Sequence, residues 1–393
     1  MAARLRHITD NRRAQRGALS AAPRMRVLTA AISAVLGLGL LAPSSAQTPP
    51  SSALPPNALP LGAQVQAGSA TVTSSGASMV VNQTSQQLIT NWSSFNVGSG
   101  ASVEFVQPNV SAAALNRVVG TDVSQIQGQL KSNGQVFIVN PNGVIFGAGA
   151  RVDVGGLTAS TLNISDADFL AGRFVFNKDV ATQNDARAVL ENAGQLQAAE
   201  QGYIALIGET VSNTGSIDTP SGTTALLAGE RITLTVANNQ LISYEVERGA
   251  LDAQIDAGGA INASDGVVVL SAKALDALTK SVVNSTGIVQ ATSLSNKGGK
   301  IVLEGDVITL SSDAALDASG ATGGGTVHVG GGWQGAGDLR QAETVTMQSG
   351  ATIKANASNA TDAAANTATG NGGEVVLWSD ITNADSLTTV AAA

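Results

Sequence analysis

The sequence predicts an all-β protein built as a parallel β-helix, in which the chain winds in stacked coils. Aromatic residues make up only 3% of the 393 residues while 44 are glycine, and this composition suits closely stacked strands better than packed helices. Short segments such as Val103-Glu-Phe-Val-Gln alternate apolar and polar residues with a period of two, which is typical of strands. A glycine-led unit also recurs at intervals of roughly 20 to 35 residues, the length of one coil.

The recurring unit reads Gly-x-(Ile/Leu/Val)-x-(Ala/Thr/Ser), then a short polar gap, then Gly-x-(Ile/Val)-x-(Leu/Val). One coil cannot bury its apolar residues alone, so the coils must stack, and about ten of them would form a rod roughly 50 Å long. A β-sandwich is the alternative, but it predicts hairpins about every 8–12 residues. The glycine spacing therefore favours the β-helix. Examples of the unit begin at Gly194 with Gly202, Gly215 with Gly222, and Gly259 with Gly266.

Residues 1–46 have the pattern of a secretory signal peptide. Seven arginines occur within the first 26 residues, and an apolar stretch runs from Val27 to Leu41. Ser44 and Ala46 place small residues at the −3 and −1 positions, which predicts cleavage between Ala46 and Gln47. The apolar stretch is about 15 residues long, whereas a membrane-spanning helix needs roughly 20.

The remaining chain divides by composition into three parts. Residues 47–62 contain five of the ten prolines and are predicted to form a linker or an extended arm. Residues 63–310 carry the β-helix pattern, and the region Ala63–Gly100, with its aromatic pair Trp92 and Phe95, is our candidate for an N-terminal cap. Residues 311–393 are predicted to add further coils, and we expect the sequence to be a piece of a longer rod.

Asn140-Pro141-Asn142-Gly143 lies between two apolar, β-rich runs and predicts a tight turn between two strands. Pro141 presets φ for the second turn position, Asn140 can accept a hydrogen bond from a backbone N–H, and Gly143 leaves the turn without steric cost. Such a turn is expected in any β-protein, so alone it indicates a structural corner.

Two segments predict short helices outside the coils. Ser165-Asp-Ala-Asp168 has the pattern of a capping box at the start of a helical turn. Between Ala272 and Val282, apolar residues at helical spacing, among them Leu275 and Leu278, predict a helix that packs on the outside.

The composition excludes several classes of function. Beyond Ala46 the chain has 14 basic and 28 acidic residues, so we expect neither nucleic acid as a partner nor stable membrane insertion. There is no cysteine, and the histidines are His7 and His328. A multi-histidine metal site and a Ser-His-Asp site are therefore excluded, and we expect no cofactor and no metal.

Three pairs of acidic residues spaced i, i+2 leave an enzyme as an alternative. On a strand this spacing puts both carboxylates on one face, as a groove that cleaves polysaccharide requires. Aromatic residues for sugar stacking are scarce, so we expect solvated strand faces and no enzyme. The pairs are Asp166/Asp168, Glu245/Glu247 and Glu304/Asp306.

A set of ordered motifs resembles the filamentous haemagglutinin N-terminal domain of two-partner secretion exoproteins. The motifs run in the same order along the chain and cover much of residues 63–310. They are Asn91-Trp-Ser-Ser-Phe-Asn-Val-Gly98, Phe105-Val-Gln-Pro-Asn109, Leu115-Asn-Arg-Val-Val-Gly120, Ser124-Gln-Ile-Gln-Gly128, Asn133-Gly-Gln-Val-Phe-Ile-Val-Asn-Pro-Asn-Gly-Val-Ile-Phe-Gly147, Gly149-Ala-Arg-Val-Asp-Val-Gly-Gly-Leu-Thr-Ala-Ser-Thr161 and Asp168-Phe-Leu-Ala-Gly-Arg-Phe-Val-Phe176.

This resemblance implies a right-handed parallel β-helix with an N-terminal cap. It also implies export to the periplasm of a Gram-negative bacterium, recognition by a cognate outer-membrane barrel transporter with POTRA domains, and folding at the cell surface. The turn Asn140, Pro141, Asn142, Gly143 matches one secretion motif of the family. A second family motif, usually Asn-Pro-Asn-Leu, is not intact, and Gln107, Pro108, Asn109 is the second candidate.

The resemblance implies less about the activity of the whole exoprotein. We expect an adhesin stem that binds a host-cell receptor or a glycan. The alternatives are the stem of a haem-scavenging or contact-dependent growth-inhibition exoprotein and, last, a polysaccharide-active β-helix enzyme.

Overall fold

The computed structural model describes residues 53–178, 188–275, 279–293, 297–357, 370–380, 382 and 384–390. Over these residues the chain winds as a parallel β-helix whose coils place strands in three sheets of eleven, eleven and nine strands. The predicted fold class is confirmed. The predicted signal peptide, including Ala46 and Gln47, lies outside the described residues.

Sheet I contains eleven strands whose spatial order follows the chain. They are β2 (Ala70–Ser75), β3 (Ser78–Gln83), β5 (Ser102–Val106), β8 (Gln129–Ser132), β11 (Arg151–Val154), β16 (Gln195–Ala198), β19 (Ser216–Asp218), β24 (Ala260–Asn262), β27 (Ile288–Gln290), β30 (Ala315–Asp317) and β33 (Thr352–Lys354).

Sheet II follows sheet I in each coil and also has eleven strands. They are β1 (Gln64–Ala67), β4 (Gln87–Trp92), β6 (Ala113–Val118), β9 (Gln135–Val139), β12 (Gly156–Ser160), β17 (Tyr203–Gly208), β20 (Thr223–Ala228), β25 (Val267–Ala272), β28 (Lys300–Glu304), β31 (Thr326–Val329) and β34 (Glu374–Leu377).

Sheet III completes the coil with nine shorter strands. They are β7 (Ser124–Ile126), β10 (Val144–Phe146), β15 (Val189–Asn192), β18 (Thr210–Asn213), β23 (Gln254–Ala257), β26 (Val282–Ser285), β29 (Val307–Leu310), β32 (Thr344–Met347) and β35 (Leu387–Val390). The described part of residues 311–393 thus contributes β30 to β35 to the same three sheets.

Identical side chains stack in columns inside the helix. In sheet II, Leu206 pairs with Leu226, Leu226 with Leu270, and Leu270 with Leu303, and all four are fully buried. Because side chains alternate along a strand, every second residue points into the helix, and each successive coil adds one layer to such a column. Complete burial of each leucine contributes roughly 1.5–3 kcal/mol, which a single isolated coil would not gain.

The recurring glycines of the sequence form ladders at the corners of the coils. A Cβ placed on Gly259 would lie 2.0 Å from the carbonyl oxygen of Gly215, and one on Gly215 would lie 2.1 Å from that of Gly194. The glycines that precede the strands of sheet II stack in the same way, as Gly222 does on Gly202 at 2.0 Å. The backbones of successive coils approach so closely at these corners that a side chain cannot fit, which explains the repeat.

The N-terminal end of the helix is capped by two antiparallel strands, as predicted. Strand β1 pairs antiparallel with β4, and β2 pairs antiparallel with β3. Trp92 and Phe95 are fully buried, with their ring centroids 5.6 Å apart and the rings almost perpendicular. The Trp92 indole also donates a hydrogen bond to Asn116 Oδ1 at 3.0 Å, so the aromatic pair belongs to the core of the first coils.

The described half of the proline-rich segment lies against the first coil. Ala58 O accepts a hydrogen bond from Gly98 N at 2.9 Å, and Pro56 O accepts one from Gly100 N at 2.8 Å. Leu61 forms an antiparallel bridge with Ser94. This half is therefore irregular but bonded to the coil, whereas the sequence predicted a linker or an extended arm.

A four-stranded antiparallel sheet, the cover sheet, packs outside the coils on sheet II. The sequence did not predict it. Phe137 on the outer face of sheet II packs against Phe169 and Phe174, with ring centroids 5.3 and 5.0 Å apart. Because sheet II is apolar on both faces, its outer face is buried under this second layer. The strands of the cover sheet are β13 (Asn163–Ile164), β14 (Phe174–Asn177), β21 (Arg231–Ala237) and β22 (Gln240–Arg248).

The two predicted helices have different outcomes. Ser165 caps helix α1 (Asp166–Leu170), since its side chain accepts a hydrogen bond from Asp168 N, and this prediction is confirmed. Ala272 instead ends strand β25 and Val282 begins strand β26, so both are extended, while residues 276–278 lie outside the described ranges. A single turn, Trp333–Gly335, is a 3₁₀ helix.

Candidate functional site

The predicted turn at Asn140–Gly143 forms a corner between sheet II and sheet III. It joins β9 to β10 in the same coil. Gly143 N donates to Asn140 O at 3.0 Å and Asn142 N donates to Asn140 Oδ1 at 3.0 Å. Gly143 has a φ of +131°, which favours glycine because a Cβ would be strained there. The turn geometry predicted from the sequence is present.

The asparagine side chains of this corner hold the preceding coil. Asn140, which is fully buried, donates from Nδ2 to Asp122 O at 2.9 Å and to Ser124 Oγ at 3.0 Å. Asn142 donates from Nδ2 to Gly120 O at 2.9 Å. Both amide groups are thus engaged within the fold, and they align one corner on the previous one.

The second candidate motif begins at Gln107, between β5 and β6. Gln107 is 5% exposed, and its Nε2 donates to Gln83 Oε1 at 3.1 Å and to Ala112 O at 3.0 Å. Its backbone N–H donates to Asn133 Oδ1 at 2.7 Å. Gln107 therefore occupies the centre of a polar ladder that links three coils at the corner between sheets I and II.

The rest of this second motif faces the solvent. Pro108 and Asn109 are exposed, and Asn109 Oδ1 accepts a hydrogen bond from Ser111 N at 3.0 Å. Asn109 also donates from Nδ2 to Gln86 Oε1 at 2.9 Å. The exposed part is a local turn fixed by Asn109.

The structure does not bring the two motifs together. Gln107 Nε2 reaches the carbonyl oxygen of Gln135, the first residue of β9, whereas Asn140 follows the last residue of the same strand. The five residues of β9 span about 16 Å at roughly 3.3 Å per residue. The two motifs are consequently separate corners at opposite ends of one strand.

Arg117 is a residue to which the sequence assigned no role, although it lies in one of the ordered motifs. Its guanidinium forms an ion pair with Asp166 Oδ1 at 2.6 Å, donates to Asn163 Oδ1 at 3.1 Å and also donates to the carbonyl oxygen of Ile164. These groups belong to β13 and α1, so Arg117 fastens the outer layer to β6. The contact spans 49 residues, which local pattern does not reveal.

The acid pair at Asp166 and Asp168 lies on helix α1 and not on a strand. Asp166 is paired with Arg117, and Asp168 with Arg173 at 2.8 Å. Hydrogen bonds from Ser165 and Arg173 lower the pKa of the Asp168 carboxyl. Each carboxylate thus pairs with an arginine of the fold. The prediction that the two acids lie on one face of a strand is wrong for this pair.

Glu245 and Glu247 lie on β22, the edge strand of the cover sheet. Glu247 accepts hydrogen bonds from Thr233 Oγ1 and from the guanidinium of Arg231. These two bonds lower the pKa of the Glu247 carboxyl. Glu245, by contrast, is exposed.

Glu304 and Asp306 do not share one strand face. Glu304 is the last residue of β28 and Asp306 follows the strand. Arg340 joins them, since its backbone N–H donates to Glu304 Oε1 at 3.2 Å and its guanidinium forms an ion pair with Asp306 Oδ1 at 3.0 Å.

Within the described ranges, no three His, Asp or Glu side chains come together in an arrangement that would hold a metal ion. No helix in the part of the chain that the structure describes is long and apolar enough to cross a membrane.

The model of the TPS secretion domain family matches residues 57–318. This chain belongs to the two-partner secretion (TPS) domain family. The match includes both candidate motifs, the cap and the cover sheet, and it extends slightly beyond the predicted region 63–310. The TPS domain makes the chain part of a secreted or cell-surface protein, and secretion domains of this family are not enzymes.

Similar proteins agree with this assignment. The crystal structure of the HMW1 secretion domain from Haemophilus influenzae superimposes with a TM-score of 0.60 at 31% identity, covering 76% of this chain and 84% of the other. Two heme/hemopexin-binding proteins of H. influenzae are 36% and 31% identical over 263 and 254 residues, or 66% and 61% of this chain. The aligned regions span only 28% and 27% of those two proteins.

Proposed function

We propose that the chain is the N-terminal secretion domain of a larger exoprotein and is recognised by a cognate outer-membrane barrel transporter with periplasmic POTRA domains. Its route begins with removal of residues 1–46 after export to the periplasm of a Gram-negative bacterium. The observation that carries the proposal is the family match over residues 57–318. It is supported by the intact turn motif at Asn140–Gly143, which occupies a corner in the first coils.

The fold suits passage through a narrow barrel. Among the described strands of the three sheets, each coil bonds only to the coils beside it. The chain can therefore fold progressively as it emerges, beginning at the N-terminal cap. No cysteine is present, and premature disulfides therefore cannot form in the oxidising periplasm. Folding outside the cell buries apolar side chains and thereby opposes backward movement of the chain.

Recognition at the turn can be separated from its structural role by comparing two asparagines. Asn142→Ala removes the bond to Gly120 O in the motif, while Asn213→Ala removes a buried corner asparagine that accepts from Asn192 Nδ2 at 2.7 Å in a later coil. Secretion of each variant by bacteria that express the transporter would be measured by immunoblot of the culture medium.

We expect Asn142→Ala to reduce secretion several-fold more than Asn213→Ala. Deletion of Gln135–Gly147 should abolish secretion. Recognition at the turn would be contradicted if the two point variants were secreted equally after correction for any difference in their unfolding free energies. Normal secretion of the deletion variant would also contradict it.

For the whole exoprotein, the two matched relatives favour haem or hemopexin binding over adhesion, because both are named heme/hemopexin-binding proteins. That activity would reside in the full-length secreted protein, since the similarity covers only a quarter to a third of the relatives. The secreted product should be retained on haemin-agarose or immobilised hemopexin. Retention on host cells without retention on either resin would support the adhesin instead.

A further inference from the structure

A groove of about 650 Å³ lies on the outer face of sheet II. One wall is strand β22 of the cover sheet and the opposite wall is the segment 338–340. Its floor is apolar because Val267, Val269 and Val302 of strands β25 and β28 point outward there. The groove lies apart from both corner motifs and is not used in the proposed secretion mechanism.

The wall formed by β22 is a backbone edge. Strand β22 is the last strand of the cover sheet and pairs only with β21 among the described strands. Six consecutive residues of it, Leu241 to Val246, line the groove. Since successive side chains point to opposite faces of a strand, a lining of six consecutive residues means that the edge itself borders the groove, over about 20 Å. An extended peptide of about six residues matches this length.

A buried carboxylate lies at one end of the groove. Glu304 is 8% exposed and accepts hydrogen bonds from Tyr244 Oη at 2.9 Å and from Arg340 N at 3.2 Å. Its charge is not balanced by an ion pair within the described residues, because the Arg340 guanidinium pairs with Asp306 instead. A buried carboxylate favours a cation nearby, and its two oxygens have room for further donors.

Among the described residues, three acidic and three basic side chains line the groove, and two of the basic ones, Lys273 and Arg340, are engaged by other groups. Lys273 Nζ donates to the carbonyl oxygens of Val246 and Glu247 at 2.9 and 2.7 Å. Glu245 and Asp338 line the groove together with Lys300. The groove thus combines an apolar floor, an open strand edge and a buried carboxylate.

We propose that this groove binds an extended peptide segment of a partner protein, with a lysine or arginine of that segment bonded to Glu304. The peptide adds a fifth strand to the cover sheet along β22, which satisfies backbone donors and acceptors on that edge. The aliphatic stem of its basic residue lies over Val269 and Val302, and its charged end reaches the carboxylate. This binding activity is additional to secretion and does not depend on the transporter.

The test uses the folded, secreted chain and a fluorescently labelled probe, acetyl-Val-Lys-Val-Lys-Val-Lys-amide, followed by fluorescence anisotropy. We expect saturable binding that weakens with added salt, because the contact is ionic. Glu304→Gln should weaken binding about tenfold, the magnitude of a lost charge-assisted hydrogen bond. Asp153→Asn, an exposed acid on β11 of sheet I, is the matched control and should leave binding unchanged.

Three further arms keep the proposal falsifiable if Glu304→Gln folds poorly. The same peptide with glutamate in place of lysine, and one with alternate backbone nitrogens methylated, should both bind at least tenfold more weakly. Asp338→Asn, at the wall of the groove, should reduce affinity two- to threefold. Absence of saturable binding, equal binding by folded Glu304→Gln, unchanged binding of the methylated peptide, or equally strong competition by spermidine would overturn the proposal.

Discussion

At the residue scale, the two asparagine side chains of the turn are directed inward. The side-chain amides of Asn140 and Asn142 donate hydrogen bonds to backbone carbonyls of the preceding coil. These bonds explain why asparagine occupies both positions, without the need for a partner protein. In the folded domain a transporter would meet Pro141 and the half-exposed edge of Asn142. The motif therefore has a structural role in the folded state, and its recognition role must be tested separately.

Asn140→Ala should lower the free energy of unfolding by about 2 kcal/mol, because two donors and one acceptor of a fully buried side chain are lost. Asn109→Ala, at an exposed turn, should lower it by less than about 0.5 kcal/mol. Urea titration followed by circular dichroism would measure both. Equal effects of the two changes would mean that the buried corner does not stabilise the coil.

Gly259→Ala tests the glycine ladder. A methyl group there would lie 2.0 Å from Gly215 O, so the stacked backbones would have to separate, at a cost of about 3 kcal/mol or more. Gly372→Ala is the control, since a Cβ at Gly372 meets no atom closer than Ala355 O at 3.9 Å. The melting temperatures of both variants would be measured by thermal unfolding, and only that of Gly259→Ala should fall. An unchanged melting temperature for Gly259→Ala would refute the steric explanation of the glycine repeat.

At the scale of elements, the outer layer is held on the coils by a few long-range contacts. Arg117 bonds to β13 and α1, while Phe137 packs against the two phenylalanines of α1 and β14. Two further ion pairs link Lys178, which follows β14 of the cover sheet, to Glu209 and Glu230. Glu209 lies at the corner before β18. The cover sheet is therefore a separate element that depends on the coils beneath it.

Arg117→Met should release the outer layer from β6. Amide hydrogen exchange in Asn163–Asn177 should become faster, and stability should fall by about 1–2 kcal/mol, because one partner of the ion pair is half exposed. Arg173→Met removes a more exposed pair with Asp168 and serves as the control. Identical exchange in the two variants would show that Arg117 does not fasten this layer.

The cover sheet should also lose stability in acid. Hydrogen bonds from Thr233 and Arg231 lower the pKa of Glu247 in the folded chain, so its contribution is present above the unfolded pKa of about 4.3 and disappears as the pH falls through the lower folded value. The melting temperature should therefore fall as the pH is lowered below about 4.3. Glu247→Gln should show a smaller fall, and an identical pH profile would contradict this assignment.

The sequence predicted those features that depend on neighbouring residues. Strand alternation, the Asn140–Gly143 turn and the Ser165 cap are local, and all three are present. The cover sheet and the Arg117 contacts escaped prediction because their partners are dozens of residues apart. The predicted helix between Ala272 and Val282 was wrong at its two described ends, because Ala272 pairs with β20 and Val282 pairs with β23. Pairing of this kind overrides local helix propensity.

At the scale of the whole molecule, all three sheets are extended in the same way, by one strand from each successive coil. Each new coil adds a layer to the leucine columns and to the glycine ladders, and the antiparallel strands β1 and β2 close the first layer. Within the three sheets, each coil gains its stability from the coils beside it and needs no contact with a more distant coil. This is the property that progressive emergence from a transporter requires.

The most direct test of the central claim is transporter-dependent release of the chain itself. Residues 1–393 would be expressed in Escherichia coli with the cognate barrel transporter, with a transport-defective variant of it, or without it, and medium and periplasm would be probed by immunoblot. The account predicts processed chain in the medium only with the functional transporter, and retention in the periplasm otherwise. Equal release in all three strains, or retention with the functional transporter present, would contradict it.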